Sequence, residues 1–407
     1  MRYLGLFVLL CGFLTSATTR VTLYQGGFAY VEEERVLDLQ GEKVAVIFGL
    51  PATVIPESLS WEGIDVLNWQ LVMPQVGLES LIGKEVLVSY AGRTARGTLV
   101  SLQGGLILQT QEGYLFIPQY ESVFSSAQPD LTGLPDLKLH LSAAPETEKI
   151  VLRYLVRDLS WEAAYIGIYS GDKLSLWGNA VLRNRCGVDF YGVKVNLVAG
   201  EVFGPKEAGA FRTEVKALAV APAPEVSPVA EYHRYSLPGT VDIPQGETVV
   251  EYLPETQVKV EEVYRFAYGS ILFVLRFTNT TGLPLPAGII RVFGEGAFLG
   301  QGEIGHTPLD KEVELPLGVA FDLTGERIQT EYTRLAKDRY REGYRILVHS
   351  AKEKPVTVEV IEEMRGEWRI LHSSLPYEVL DAHRVLFRLP VPPQGEAAVE
   401  YTVEYTY

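Results

Sequence analysis

The chain closes on AAVEYTVEYTY, a stretch in which side-chain character changes at every residue. Ala397, Val399, Tyr401, Val403, Tyr405 and Tyr407 make one set; Ala398, Glu400, Thr402, Glu404 and Thr406 make the other. A period of two with one apolar side is a half-buried β-strand, because an extended backbone sends successive side chains to opposite faces. The run PVTVEVIEEM repeats the pattern, with Val356, Val358 and Val360 in phase. Similar runs fill the chain between Gly, Pro and Asp, the residues that turn a backbone between strands. QGE stands at Gln245–Glu247 and at Gln394–Glu396, each time after a proline and ahead of a Val-containing run, and each reads as a turn feeding a strand. No segment keeps a 3.6-residue period over several turns; TRLAKDRYREGY (Thr333–Tyr344) is a candidate for a short helix, with poor apolar spacing. The expected fold class is all-β: several β-sandwich domains of immunoglobulin-like type plus a small barrel, with little helix.

Residues 1–17 read as a signal peptide. Met1-Arg2 supplies a positive start, Tyr3–Leu14 is apolar, and Thr15-Ser16-Ala17 are small residues suited to cleavage. The apolar run is too short for a bilayer, and no later segment offers eighteen consecutive apolar residues, so the mature chain is expected to have no transmembrane span. Leu10 ahead of Cys11 argues against a lipid anchor. Export to the periplasm or cell surface follows. Once Cys11 leaves with the leader, Cys186 has no partner in the chain, so apolar cores and not disulfides must hold the fold. Residues 18–78 form an N-terminal β unit. Residues 79–126 read as a small SH3-like or Sm-like barrel, with strands GKEVLVSY, RGTLVSL, GLILQT and GYLFIP separated by Gly92, Gly104-Gly105 and Gly113. Residues 127–136 are a connector and 137–203 another β unit. Residues 204–231, rich in Ala, Pro, Val and Glu, read as a flexible excursion. Strands continue over 232–269, and 270–407 form a C-terminal β-sandwich region.

The formal net charge of −15 argues against nucleic-acid partners, which require clustered Lys and Arg. Scarce Asn and Met with abundant Glu resemble a heat-adapted composition. The most suggestive stretch for chemistry is RDLSWEAAYIGIY. Alternation puts Trp161, Ala163, Tyr165, Gly167 and Tyr169 on one face and Glu162, Ala164, Ile166 and Ile168 on the other. Glu162 therefore points away from the rings. Asp158 shares its side, but four strand steps separate the two by roughly 13 Å, too far for a glycosidase pair. Cys186 lies between Arg183, Arg185 and a glycine, yet no histidine is fixed beside it to act as base, so a turn residue is expected. The six histidines show no metal spacing, and GxSxG, GxGxxG and P-loop patterns are absent. No cofactor or metal is expected; a Ca²⁺ or sugar site built from loops stays open. Asn279-Thr280-Thr281 is read as a turn after a strand and not as a glycan acceptor. Leu-Ser-Trp-Glu occurs at Leu59–Glu62 and Leu159–Glu162 with unlike flanks, a coincidence. Trp61, Trp69, Trp161, Trp177 and Trp368 are dispersed, and a carbohydrate-binding face built on them is the alternative reading.

LSWEAAYIGIY followed by LSLWGNAVLRNRCGVDFYGVKVNLVAGEV resembles the signature of the mucoidy-inhibitor-like family, domain of unknown function 4139. Ser160, Trp161, Ala163 and Tyr165 match its Ser-Trp-x-Ala-x-Tyr strand. Asn184, Gly187, Asp189 and Phe190 match its turn, with Cys186 where a small hydroxyl residue is usual. Ala199, Gly200, Glu201 and Val202 match the strand end, and EYHRYSLPGTVDIPQGET, with Tyr232 and Tyr235, resembles the next block. The resemblance covers roughly residues 20–75 and 135–407, with the small barrel where those relatives carry a coiled coil. It implies no assigned enzymatic activity and no catalytic set. The expectation is an exported, non-enzymatic cell-envelope protein that binds or scaffolds an envelope protein or glycan. The alternatives are a carbohydrate-binding or carbohydrate-hydrolysing protein and an assembly or adhesion module acting through sheet edges; an oligomer is open.

Overall fold

Alternation becomes strand almost everywhere. In the computed structural model 69% of the described residues are strand and 2% helix, so the described part is all-β with several sheets. The structure describes residues 19–40, 43–127, 133–145, 149–200, 202, 204, 225–229, 232–267 and 269–406. The expected leader lies outside them, as does most of the expected excursion.

The chain begins with β1 (Arg20–Tyr24), β2 (Phe28–Val36), β3 (Asp38–Leu39), β4 (Val44–Ile47), β5 (Ser60–Glu62) and β6 (Val66–Val72). Next come β7 (Glu85–Tyr90), β8 (Arg93–Ser101), β9 (Leu106–Thr110), β10 (Gly113–Ile117) and β11 (Ser122–Ser125). The middle holds β12 (Asp136–Leu141), β13 (Lys149–Arg157), β14 (Leu159–Ser170), β15 (Lys173–Asn184), β16 (Phe190–Ala199), β17 (Glu225–Val229), β18 (Tyr232–Ser236) and β19 (Val241–Ile243). Then follow β20 (Gly246–Ala267), β21 (Ser270–Thr278), β22 (Gly288–Gly294), β23 (Ala297–Ile304), β24 (Glu312–Arg334) and β25 (Arg339–Ser350). The last are β26 (Val356–Glu363), β27 (Glu367–Ser373), β28 (Tyr377–Asp381), β29 (Arg384–Val391) and β30 (Glu396–Thr406).

An eight-stranded sheet runs β17-β18-β16-β1-β2-β13-β5, with β19 on β16, and a four-stranded sheet runs β3-β4-β12-β6. Their apolar sides share one core, which takes Val21, Val31 and Leu152 from the first sheet and Ile47, Leu137 and Leu139 from the second. The same core continues into a thirteen-stranded sheet, β23-β22-β14-β15-β20-β21-β24-β25-β30-β27, with β26, β28 and β29 joined through β20. A second core lies under β25, β26, β29 and β30, around Ile346, Val360, Phe387 and Tyr401. β20 and β24, of 22 and 23 residues, run through both: Val258 and Leu315 belong to the first core, Phe266 and Leu323 to the second. A third core of Val86, Val88, Leu99, Leu106, Leu108 and Ile117 belongs to β7–β11 alone.

β20 and β30 start within the two QGE segments, as expected. The four strands expected over 79–126 are present, joined by a fifth, β11, which pairs with β7. Three expectations are corrected. Thr333–Tyr344 is no helix: it is the end of β24, a turn and the start of β25, whose residues pair with β24 on one side and β30 on the other. Its poor helical spacing gave way to two ladders. The excursion contains a strand, β17, paired to β18. Asp158 is not in one continuous strand with Glu162. It holds a left-handed φ of 58° at the corner where the chain leaves β13 in the eight-stranded sheet and enters β14 in the thirteen-stranded one.

Candidate functional site

The residues of the family-like signature converge where these two sheets meet. Trp161, Ala163 and Tyr165 lie on the buried face of β14, as their phase requires. The Trp161 indole Nε1 donates to the Val198 carbonyl of β16 at 3.0 Å. The Tyr165 hydroxyl donates to the Pro286 carbonyl at 2.7 Å, and Tyr252 of β20 donates to the Tyr165 oxygen at 2.7 Å. Tyr235 of β18 donates to the Pro284 carbonyl at 3.0 Å. The four rings stand at centroid distances of 5.6–6.5 Å, mostly edge-on. Burial pushes the phenols of Tyr165, Tyr252 and Tyr235 above their ordinary range. They therefore hold their protons near neutrality. They clasp the 284–286 segment between two sheets.

The second part of the signature is a turn built on Asn184, which is fully buried at the end of β15. Its Nδ2 donates to the carbonyls of Val188 and Ile243, both at 2.8 Å, and its Oδ1 accepts from the Cys186 amide at 3.2 Å. Gly187 holds φ 96°, and a Cβ there would press on Ala52 and Leu134. The Asp189 carboxylate accepts from the Gln245 amide at 2.8 Å and the Tyr191 hydroxyl at 3.1 Å. Phe190 is buried opposite Ile243. Ala199 is buried at the end of β16, and Gly200 has Tyr232 so close that a Cβ would stand 2.7 Å from its ring. Ser160 is opposite Arg183 on the outer face.

The same turn recurs at Asn279. This side chain is also fully buried, and its Nδ2 donates to Leu283, Thr307 and Pro308 carbonyls at 3.0–3.1 Å, while its Oδ1 accepts from the Thr281 amide at 3.2 Å. Asn-x-Cys-Gly-Val and Asn-x-Thr-Gly-Leu thus fold alike, each closing a strand of the thirteen-stranded sheet. The amide at Asn279 is fully engaged inside the protein, which leaves no place for a glycan. The shared Asn-x-(Cys/Thr)-Gly spacing was the available signal for this pairing, obscured by the change of Thr to Cys.

Glu162 is exposed and ion-paired to Arg183, which also holds Glu247 at 2.9 Å. Burial pushes the Cys186 thiol up to about 11. Trp161 has no exposed surface, so it offers no sugar platform. Among the described residues no group of three or more His, Cys, Asp or Glu is placed to hold a metal ion, and no helix is long and apolar enough to cross a membrane.

Buried ionic groups are what the sequence reading missed. Glu33 accepts from Arg35 at 2.8 Å and from the Tyr154 hydroxyl at 2.9 Å. Glu362 accepts from Arg327 at 2.9–3.0 Å and from the Tyr401 hydroxyl, with Arg327 stacked 3.7 Å over the Tyr344 ring. The signal was present: each glutamate falls on the apolar phase of its strand, Glu33 with Ala29 and Val31, Glu362 with Val358 and Val360. A third group joins Glu359, Arg265, Arg276 and Glu314 across four adjacent strands. It borders an open depression of about 580 Å³ lined by Lys259, Glu261, Arg276, Thr278 and Glu312. In each case cation and carboxylate are matched to one another, an arrangement that fixes geometry.

No protein-family model matches the chain, and no curated protein matches it.

Proposed function

We propose that this chain is an exported, non-enzymatic, multidomain β-sandwich protein of the bacterial cell envelope that acts by binding or scaffolding partners. One observation carries the proposal: the side chains most suggestive of chemistry have their polar atoms engaged internally. Trp161, Tyr165, Tyr235 and Asn184 all donate to backbone carbonyls, and Glu162 lies on an open sheet face beside Arg183. Enzymatic sites need a group held ready for substrate in a cleft; these groups are held for the fold. We read the chain as a divergent relative of the mucoidy-inhibitor-like family on the residues quoted above. Two sheets sharing one core support immunoglobulin-like sandwiches. In β7–β11 the order β10-β9-β8-β7-β11 places the fifth strand beside the first, which supports a small barrel of SH3 or Sm type in place of the coiled coil.

The experiment is affinity capture from a native envelope fraction, paired with turnover assays on glycan and peptide libraries. A partner retained by the wild type and by Glu162→Gln, with no turnover, is the expected result. Turnover that survives purification and is lost on substituting one carboxylate would overturn the proposal.

A further inference from the structure

Among the described residues β6 is the outer strand of the four-stranded sheet and is paired on one side only, to β12. Its sequence is V-L-N-W-Q-L-V (Val66–Val72). No Asp, Glu, Lys or Arg occurs between Asp65 and Glu79, in a chain that is 21% charged. Outside the five-stranded sheet the other outer strands all carry charge: Asp38 in β3, Glu62 in β5, Glu225 in β17, Glu303 in β23, Glu367 and Arg369 in β27, and Glu378 and Asp381 in β28. Charges on edges are what keeps sheets from pairing with one another. β6 lacks that protection, and its apolar side chains are open to solvent: Leu67 is 71% exposed, Trp69 37% and Val72 38%.

The strand is also nearly palindromic. Two copies laid antiparallel about a two-fold axis through Trp69 bring Val66 opposite Val72, Leu67 opposite Leu71, Asn68 opposite Gln70, and Trp69 opposite itself. Every pair matches in chemistry, aliphatic to aliphatic and amide to amide. The faces agree as well. Trp69 and Leu71 stand opposite Leu139 and Leu137 on the buried side of the sheet, while Asn68 and Gln70 stand opposite His140 and Lys138 on the other. The bulge against β12 lies at Leu67, at the strand's start, and leaves Asn68–Val72 regular. Trp61 of β5, the outer strand of the neighbouring sheet, packs edge-on against Trp69 at 6.4 Å, so both sheets end at this side of the molecule.

We propose that β6 is a homodimerisation edge, through which two copies of this chain join Val66–Val72 antiparallel into one continuous sheet. Self-complementarity of one patch is what a two-fold contact requires, and main-chain hydrogen bonds supply the attachment. A seven-residue strand pair is a small contact, so association is expected in the range of roughly micromolar concentrations. The proposal does not depend on the envelope role above.

Sedimentation equilibrium across a concentration series, together with site-directed cross-linking, tests it. The wild type should pass from one to two chain masses as concentration rises, and Leu67→Lys, at a side chain already open to solvent, should remain at one. Oxidation of a mixture of Asn68→Cys and Gln70→Cys should give a covalent heterodimer, and neither variant alone should do so. A wild type that stays at one chain mass throughout overturns the proposal, as does a dimer indifferent to Leu67→Lys. If Leu67→Lys melts early, the cross-linking decides: a bond in the mixture only supports the register, and its absence refutes it.

Discussion

Asn184 and Asn279 show how single residues hold this fold. Each sits at the end of a strand with its amide facing backbone carbonyls of the turn that follows and of a neighbouring segment. Asn184→Ala removes the donors to the Val188 and Ile243 carbonyls, Val188 keeping Gln245 Nε2 at 2.7 Å, and the acceptor of the Cys186 amide, which should cost roughly 2–4 kcal/mol in urea unfolding. Cys186→Thr places a hydroxyl where Thr281 already donates to Leu283 at 3.0 Å. Stability within about 1 kcal/mol of wild type is expected there, and a loss as large as that of Asn184→Ala would refute the equivalence of the two turns. Trp161 and Glu162 are neighbours on opposite faces. Trp161→Ala should cost roughly 3–5 kcal/mol, whereas Glu162→Gln should change stability by less than about 1 kcal/mol, because its ion pair lies in solvent. Equal melts for the two would sink the face assignment. That assignment was legible from alternation alone. The ring cluster was only partly legible, since Tyr252 meets Tyr165 through strand pairing distant in sequence.

At the scale of elements, periodicity says which side of a strand is buried and is silent about what stands opposite. Glu359 on β26 meets Arg265 on β20 because those strands pair in parallel, and Arg276 and Glu314 join through β21 and β24. This row spans the place where β20 and β24 pass from one core to the other. Hydrogen bonds, first from Arg265 and then from Arg276, hold the Glu314 carboxyl at about 2, below its ordinary 4.5. A carboxyl depressed in the folded state contributes stability that is fully present above its unfolded value and is lost as pH falls through the folded one. Melting temperature should therefore fall as pH drops from about 4.5 towards 2. Glu314→Gln should melt lower than wild type at pH 7 and show a shallower decline across that window. A parallel decline in both proteins would mean the row is not what acid disrupts. The same limit of periodicity explains the misread helix at Thr333–Tyr344: its residues have weak preferences of their own, and the ladders on both sides of β25 decide.

For the molecule as a whole, long strands make one structure out of the two larger cores and leave the third apart. β20 and β24 contribute to both large cores, so these should unfold together. Among the described residues β7–β11 share no buried residue with either. The segment containing them leaves from β6 and returns at β12, and Val72 stands opposite Asp136 in the ladder. Near its ends Gly133 lies against Val76, with van der Waals contact at 3.4 Å for a Cβ built on the glycine. A chain that departs and returns at one point can be cut there without stretching the rest. Replacing residues 77–132 with a short Gly-Ser turn should leave the remainder with a single cooperative melt within a few degrees of the full chain's main transition. The excised segment should fold alone with its own, broader transition, as a small core dictates. Loss of cooperative unfolding in the remainder would show that the small unit supports the sheets it interrupts. Gly-punctuated short strands mark this segment off from the longer ones around it in the sequence; the pairing of β20 with β21, which joins residues 232–269 to the C-terminal region, was not legible, since a hairpin turn at Gly269 looks like any other break until its two strands are seen to pair.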